Sequence, residues 1–171
     1  MIRKGLFFFG LAFLFAQAPD LVVLVETSQL TCGTPISLAR NALRRLCSAK
    51  QGSIKVGTFS RMQGGARTVR WLTTPVMPLE NTSECLSLFR DIKPLCDSVY
   101  LVDPLYAVEE AIKESEGAPI LLFASGQRRS QGPSLSDIRN LAEKKGVKLY
   151  VVGIGWLSNS PDAIEFLKKL S

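Results

Sequence analysis

After Asp20, an apolar run over residues 21–25 ends on Glu26, and Ser28 follows two positions later at the start of a loop. A carboxylate and a hydroxyl at the mouth of a buried strand supply oxygen ligands of the kind a hard cation such as Mg²⁺ takes. The same groups can instead be satisfied by arginine or by loop amides. Arg128 and Arg129 bring the opposite charge, and a guanidinium grips a carboxylate through two parallel hydrogen bonds. Four cysteines, Cys32, Cys47, Cys85 and Cys96, make an even set. An oxidising compartment would pair such a set.

Other chemistry is excluded by what the chain lacks. It has no histidine, so no Ser-His-Asp or Cys-His centre can form. Ser125 lies in Phe123-Ala124-Ser125-Gly126, which lacks the first glycine of a nucleophile elbow. Gly153-x-Gly155 follows an apolar run but has no third glycine, which rejects a dinucleotide fingerprint. The cysteines make no C-x-x-C, and with no histidine to help them they do not read as a zinc site. Asn81-Thr82-Ser83 fits a glycosylation sequon, and Asn81-x-x-Glu84 fits a helix capping box equally well.

The elements that must position these groups are legible in order. Arg3 and Lys4 precede an apolar or glycine run over residues 5–16, and Ala16-Gln17-Ala18 follows as a small-x-small site. That is the pattern of a secretory signal, and the run is short of the roughly 20 residues a spanning helix needs. Residues 1–18 are therefore expected to be a signal peptide, with an uncleaved N-terminal anchor as the alternative. Residues 19–171 remain, a length suited to one domain. The net charge is +6; loss of Arg3 and Lys4 leaves 19 basic against 15 acidic residues, or +4. The basic residues are scattered and not interleaved with aromatics, which argues against a nucleic-acid partner.

Within residues 19–171, apolar runs alternate with amphipathic stretches in a βαβ rhythm. Strands are expected at about 20–26, 54–60, 68–76, 119–124 and 147–154. The short break around Gln63-Gly64-Gly65 makes the second and third antiparallel. Helices are expected after Thr34-Pro35, with Thr34 as N-cap, after Asn81, from about Pro104 to Ser115, after Ser134-x-x-Asp137 and after Ser160-Pro161. The first strand is apolar without alternation, as a strand buried on both faces should be. The fold class is α/β: a three-layer, Rossmann-like open sheet, mostly parallel with one antiparallel edge strand, and helices on both faces.

The chain resembles the von Willebrand factor A (vWA) domain family. Glu26-x-Ser28-x-Leu30 stands where that family writes Asp-x-Ser-x-Ser. Ile54-Lys55-Val56-Gly57-Thr58-Phe59-Ser60 is similar to its second strand, and Asp103-Pro104-Leu105-Tyr106-Ala107 is similar to Thr-Pro-Leu-Tyr-x-Ala. Leu121 to Gly126 matches an apolar strand ending in Thr-Asp-Gly, and residues 146–155 match the strand after that. The resemblance implies that Glu26, Ser28, Asp103 and Ser125 gather at the carboxyl edge of the sheet. The family holds a divalent cation there, bridging to an acidic residue of a partner.

Two readings of that edge stay open. In the first the site is metal-free, with no cofactor, and Glu26 and Asp103 pair with an arginine or with loop amides. Arg61, Arg128 and Arg129 then meet the partner. In the second a rearranged site holds Mg²⁺, Mn²⁺ or Ca²⁺ through Glu26, Ser28, Asp103 and Ser125. Either way the expected function is an exported, extracytoplasmic protein–protein interaction module, periplasmic or secreted. Its partner would be another exported or membrane protein, and membrane contact is expected only through an uncleaved N-terminus. A metal-using Rossmann-like hydrolase is the alternative from another class, with no general base or nucleophile to carry it. If no metal is bound, loss of Asp103 at this surface edge is expected to cost within about 0.5 kcal/mol.

The same strand directions order the cysteines. Some 13 helical residues separate Cys32 from Cys47, placing them roughly 20 Å apart, beyond the limit of about 7 Å for a disulfide. Cys32 and Cys96 fall toward the site edge, with Cys47 and Cys85 toward the other. The expected bridges are Cys32–Cys96 and Cys47–Cys85. A chain reversal at Pro94 would leave Cys85–Cys96 open as a single alternative bridge.

Overall fold

The computed structural model describes residues 18–49, 51–60, 68–73, 76–96, 103–128 and 132–171. The expected signal segment before Ala18, and Arg61 and Arg129 of the expected partner surface, lie outside the described residues.

Among the described residues, six strands and five helices follow in the order β1 (Leu21–Glu26), α1 (Thr34–Cys47), β2 (Ser53–Phe59), β3 (Arg70–Trp71), β4 (Met77–Pro78), α2 (Thr82–Leu88), α3 (Pro104–Glu114), β5 (Ile120–Ala124), α4 (Leu135–Lys145), β6 (Leu149–Gly153) and α5 (Pro161–Leu170). A 3₁₀ turn, Gln29–Thr31, lies between β1 and α1. The sheet order is β3-β2-β1-β5-β6, with β4 also on β2. All pairings are parallel except those of β3 and β4 with β2.

β1 has no alternation because both of its faces are covered. Val22 and Leu24 enter a core shared with α3, α4 and α5, while Val23 and Val25 enter a second core under α1 and α2. At its start, the Asp20 carboxylate accepts from the Ser53 amide at 2.8 Å and the Ser53 hydroxyl at 2.9 Å, which pins the register with β2. The helices begin where their capping residues predict. Asn81 caps α2, Ser160 caps α5, and Ser134 and Asp137 cap α4 reciprocally.

Two expectations are corrected. The N-cap of α1 is Gly33, not Thr34; its φ of 77° lies in the left-handed region open to glycine. The third strand is not continuous over 68–76 but splits into β3 and β4 on the same antiparallel edge. Beyond Trp71, Leu72 still donates to the Val56 carbonyl at 2.8 Å, but the return bond from the Val56 amide goes to the Thr73 hydroxyl at 2.9 Å. A side chain has taken the place of the ladder.

Cysteine pairing follows the strand directions. Cys32 is joined to Cys96 and Cys47 to Cys85, each with Cα atoms 5.8 Å apart. The first bridge holds the segment before α3 against the loop that follows β1. The second ties the end of α1 to α2 inside the core, where both sulfurs are fully buried.

Candidate interaction edge at the carboxyl end of the sheet

The chain leaves β1 on one side for β2 and on the other for β5, so the strand order reverses at β1. Ligands of open α/β sheets bind outside the carboxyl ends of the strands at such a point. Glu26 is the last residue of β1, and Ser125 is the first after β5.

Three of the four residues expected to gather there are in direct contact. The Ser28 hydroxyl donates to Glu26 Oε1 at 2.5 Å, and the Ser125 hydroxyl donates to the same oxygen at 3.0 Å. The Ser125 amide donates to Glu26 Oε2 at 2.6 Å. Ser28 Oγ also accepts from the Leu30 amide at 3.2 Å, closing the turn over the carboxylate. Thr31 extends the lock, its hydroxyl donating to the carbonyls of Glu26 and Ser28 at 3.0 Å each. Glu26, Ser28 and Ser125 are all buried. Burial pushes the Glu26 carboxyl above its ordinary value of 4.5, against the lowering pull of the Ser125 amide and the two hydroxyls.

Asp103 follows a different logic. It is the N-cap of α3, with Oδ1 accepting from the Leu105 amide at 2.9 Å, and Oδ2 faces Arg128 Nε at 3.4 Å. Gly132 packs so closely that a Cβ there would stand 2.9 Å from the Asp103 carboxyl carbon. Asp103 is only 3% exposed. The expected position at a surface edge is corrected: the acid is buried and holds a helix end. Arg128 lies partly in solvent, spanning Asp103, the Pro133 carbonyl and the Phe166 ring. Among the described residues, no cluster of three or more Asp, Glu, His or Cys is placed to hold an ion.

Compared with the solved structures, the chain matches the proximal thread matrix protein 1 of the mussel byssus with a TM-score of 0.58 and 14% identity, covering 80% of this chain and 38% of that one. It matches the pilus adhesin SpaC of Lactobacillus rhamnosus GG with a TM-score of 0.56 and 10% identity, over 80% and 25%. It matches a von Willebrand factor type A protein of Catenulispora acidiphila with a TM-score of 0.55 and 8% identity, over 90% and 43%. The chain has the vWA fold. It thus spans less than half the length of each of these proteins, and at such identities the likeness is one of fold. No sequence-family model and no curated protein matches it.

On this vWA sheet, sequence reasoning overlooked the apolar residues that ring the edge. Trp156 is 67% exposed, its amide donating to the Leu30 carbonyl and its indole to the Cys32 carbonyl, both at 3.2 Å. Leu157 beside it is exposed too. Leu95 is also exposed, its amide donating to the Thr27 carbonyl at 2.8 Å. The signal was present in Gly153-x-Gly155-Trp156. Gly155, at a φ of 121°, passes so close to the Leu30 carbonyl that a Cβ would stand 2.8 Å from it, and this close passage sets Trp156 on the edge.

Proposed function

We propose that this chain is an exported protein–protein interaction module which binds another exported or membrane protein at the carboxyl edge of its sheet, without a metal ion and without catalysis. The observation that carries the reading is the state of the two carboxylates. Glu26 has both oxygens taken by buried neutral donors, and Asp103 faces a guanidinium while capping a helix. Position 30 is leucine and offers no side-chain oxygen. That donor set does not fit a divalent cation, which needs lone pairs free to point at it. Around it stand groups suited to protein contact: the exposed Leu95, Trp156 and Leu157, and the partly exposed Arg128. The two disulfides suit an oxidising compartment, and the likeness to an adhesin and a thread matrix protein supports an extracytoplasmic setting.

The test is thermal stability with and without millimolar Mg²⁺, Mn²⁺ or Ca²⁺. An ion bound only by the native state at 100 times its Kd adds about 2.7 kcal/mol, whereas the metal-free reading expects an unmoved melting temperature. A rise that disappears in Ser28→Ala would replace this reading with the cation-dependent one, in which Glu26, Ser28, Asp103 and Ser125 rearrange around the ion. Capture of a partner from the exporting compartment by wild type, and its loss with Trp156→Ala, would place binding on this edge.

A further inference from the structure

The two disulfides stand in opposite surroundings. Cys47–Cys85 lies inside the core, with both residues at 0% exposure. Cys32–Cys96 lies at the carboxyl edge of the sheet, with Cys96 exposed and Cys32 half-buried. A thiolate opens a disulfide by reaching one of its sulfurs, so lability follows access. The outer bridge offers that access, and the inner one is closed to it.

Cys32 is also the joint that positions two apolar residues of the edge. The Trp156 indole donates to its carbonyl at 3.2 Å. Across the bridge, Cys96 follows directly on the exposed Leu95. The two sides of the bridge are held unequally. Cys32 closes the 3₁₀ turn, its amide donating to the Gln29 carbonyl at 3.3 Å, and α1 begins two residues later. On the other side, Ile92 is fully buried and its carbonyl accepts from the Arg40 guanidinium. Beyond it, among the described residues, the bonds that hold residues 95 and 96 to the edge are the Leu95 amide on the Thr27 carbonyl at 2.8 Å and the bridge itself. One backbone hydrogen bond is worth less than the entropy of ordering the residues it would hold. With the bridge open, residues 95 and 96 therefore leave the edge while Ile92 stays.

We infer that Cys32–Cys96 is a redox switch on the interaction edge. Closed, it holds Leu95 on the same edge as Trp156; opened by a dithiol, it releases Leu95 and weakens partner binding. The inference rests on the binding reading given above. The reductant is a small dithiol or a protein with a solvent-facing pair of cysteines. One of its thiolates attacks Cys96 Sγ, the bridge breaks, and Cys32 Sγ leaves with the electron pair and takes up a proton. The second thiol of the reductant then gives up its proton, attacks the reductant sulfur of the mixed disulfide and expels Cys96, which is protonated in turn. Two electrons and two protons pass to the chain, and the dithiol ends as a disulfide. Cys47–Cys85 keeps α1 on α2 throughout, so the sheet and both cores persist. Binding is thereby tied to the oxidising state of the compartment.

Graded reduction of the purified protein with dithiothreitol, followed by alkylation and mass mapping, tests this. Cys32 and Cys96 should be labelled together at a dithiol-to-disulfide ratio about tenfold or more below that needed for Cys47 and Cys85. The two-thiol species should keep the wild-type circular dichroism while hydrogen exchange of the Leu95 amide speeds about tenfold or more. Cys32→Ser/Cys96→Ser should reproduce both results without reductant. Both bridges opening together, the inner one opening first, a two-thiol species that loses its fold, or unchanged exchange at Leu95 would each overturn the inference. None of these readouts involves a partner, so they decide the switch apart from the binding reading. A captured partner that is lost with Trp156→Ala but retained by the double serine variant would leave the edge as the binding surface and overturn its redox control.

Discussion

Glu26 and Asp103 are carboxylates of one sheet edge, both buried, and they are satisfied in opposite ways. Glu26 is closed in by a serine amide and two hydroxyls, all neutral, and burial raises its pKa. Asp103 holds a helix amide with one oxygen and a partly exposed guanidinium with the other. The first is a structural knot that binds β1 to the start of the β5 loop. The second is just as buried but is tied to the surface through the partly exposed guanidinium of Arg128. Similarity of residue type at a family position is thus no guide to role; the donors around the carboxylate decide it.

The largest way to break this comparison is to release the frame that holds both acids. The bridges Cys32–Cys96 and Cys47–Cys85 close sequence separations of 64 and 38 residues, worth about 4 kcal/mol each in the chain-entropy model. Replacing Cys47 and Cys85 by alanine should lower unfolding stability by that order in urea melts. Mass mapping of a non-reduced digest checks the pairing, and Cys32 joined to Cys47 would contradict it.

Next is Glu26→Ala, which strands the Ser28 hydroxyl and the Ser125 amide and hydroxyl in the interior. An unsatisfied buried polar group costs about 1–3 kcal/mol, so a loss of about 3 kcal/mol or more is expected by denaturant titration. Asp103→Ala should cost less, about 1 kcal/mol, the usual value of an N-cap. Asp103→Asn, which keeps the cap, should recover most of it. Equal losses at positions 26 and 103 would erase the distinction between them.

A sharper probe is pH. A carboxyl whose folded pKa is raised gives stability that is whole below the unfolded value near 4.5 and is lost as pH climbs through the folded pKa. Wild type should therefore lose stability relative to Glu26→Gln as pH rises from below 4.5. A difference between the two proteins that stays flat with pH would mean that Glu26 is not raised. The smallest effect on stability is expected of Arg128→Gln, which removes a charge lying over a third in solvent, where ion pairs contribute little, but keeps a polar side chain and sets no like charge against Asp103. Its effect should appear instead as a slower, less salt-dependent association with the partner.

Much of this was legible in the chain itself. The βαβ rhythm, the capping residues Asn81, Ser134 and Ser160 and the uninterrupted apolar β1 are local signals, written in residue type and period, and the elements stand close to where those signals place them. The alternation of apolar runs and helices implies the strand directions, and with them the cysteine pairing. What local pattern does not carry is which atoms converge from distant segments. Ser125 reaches Glu26 across 99 positions and Arg128 finds Asp103, while Thr73 takes a ladder bond and divides an edge strand. Gly155 passes under Leu30 and sets Trp156 on the rim. The order of residues specified the elements, because hydrophobic period and backbone capping act over one or two turns. Only the packed tertiary structure decided which carboxylate became a knot of neutral donors and which was paired with an arginine, because hydrogen bonding and desolvation depend on neighbours the chain brings together at the end of folding.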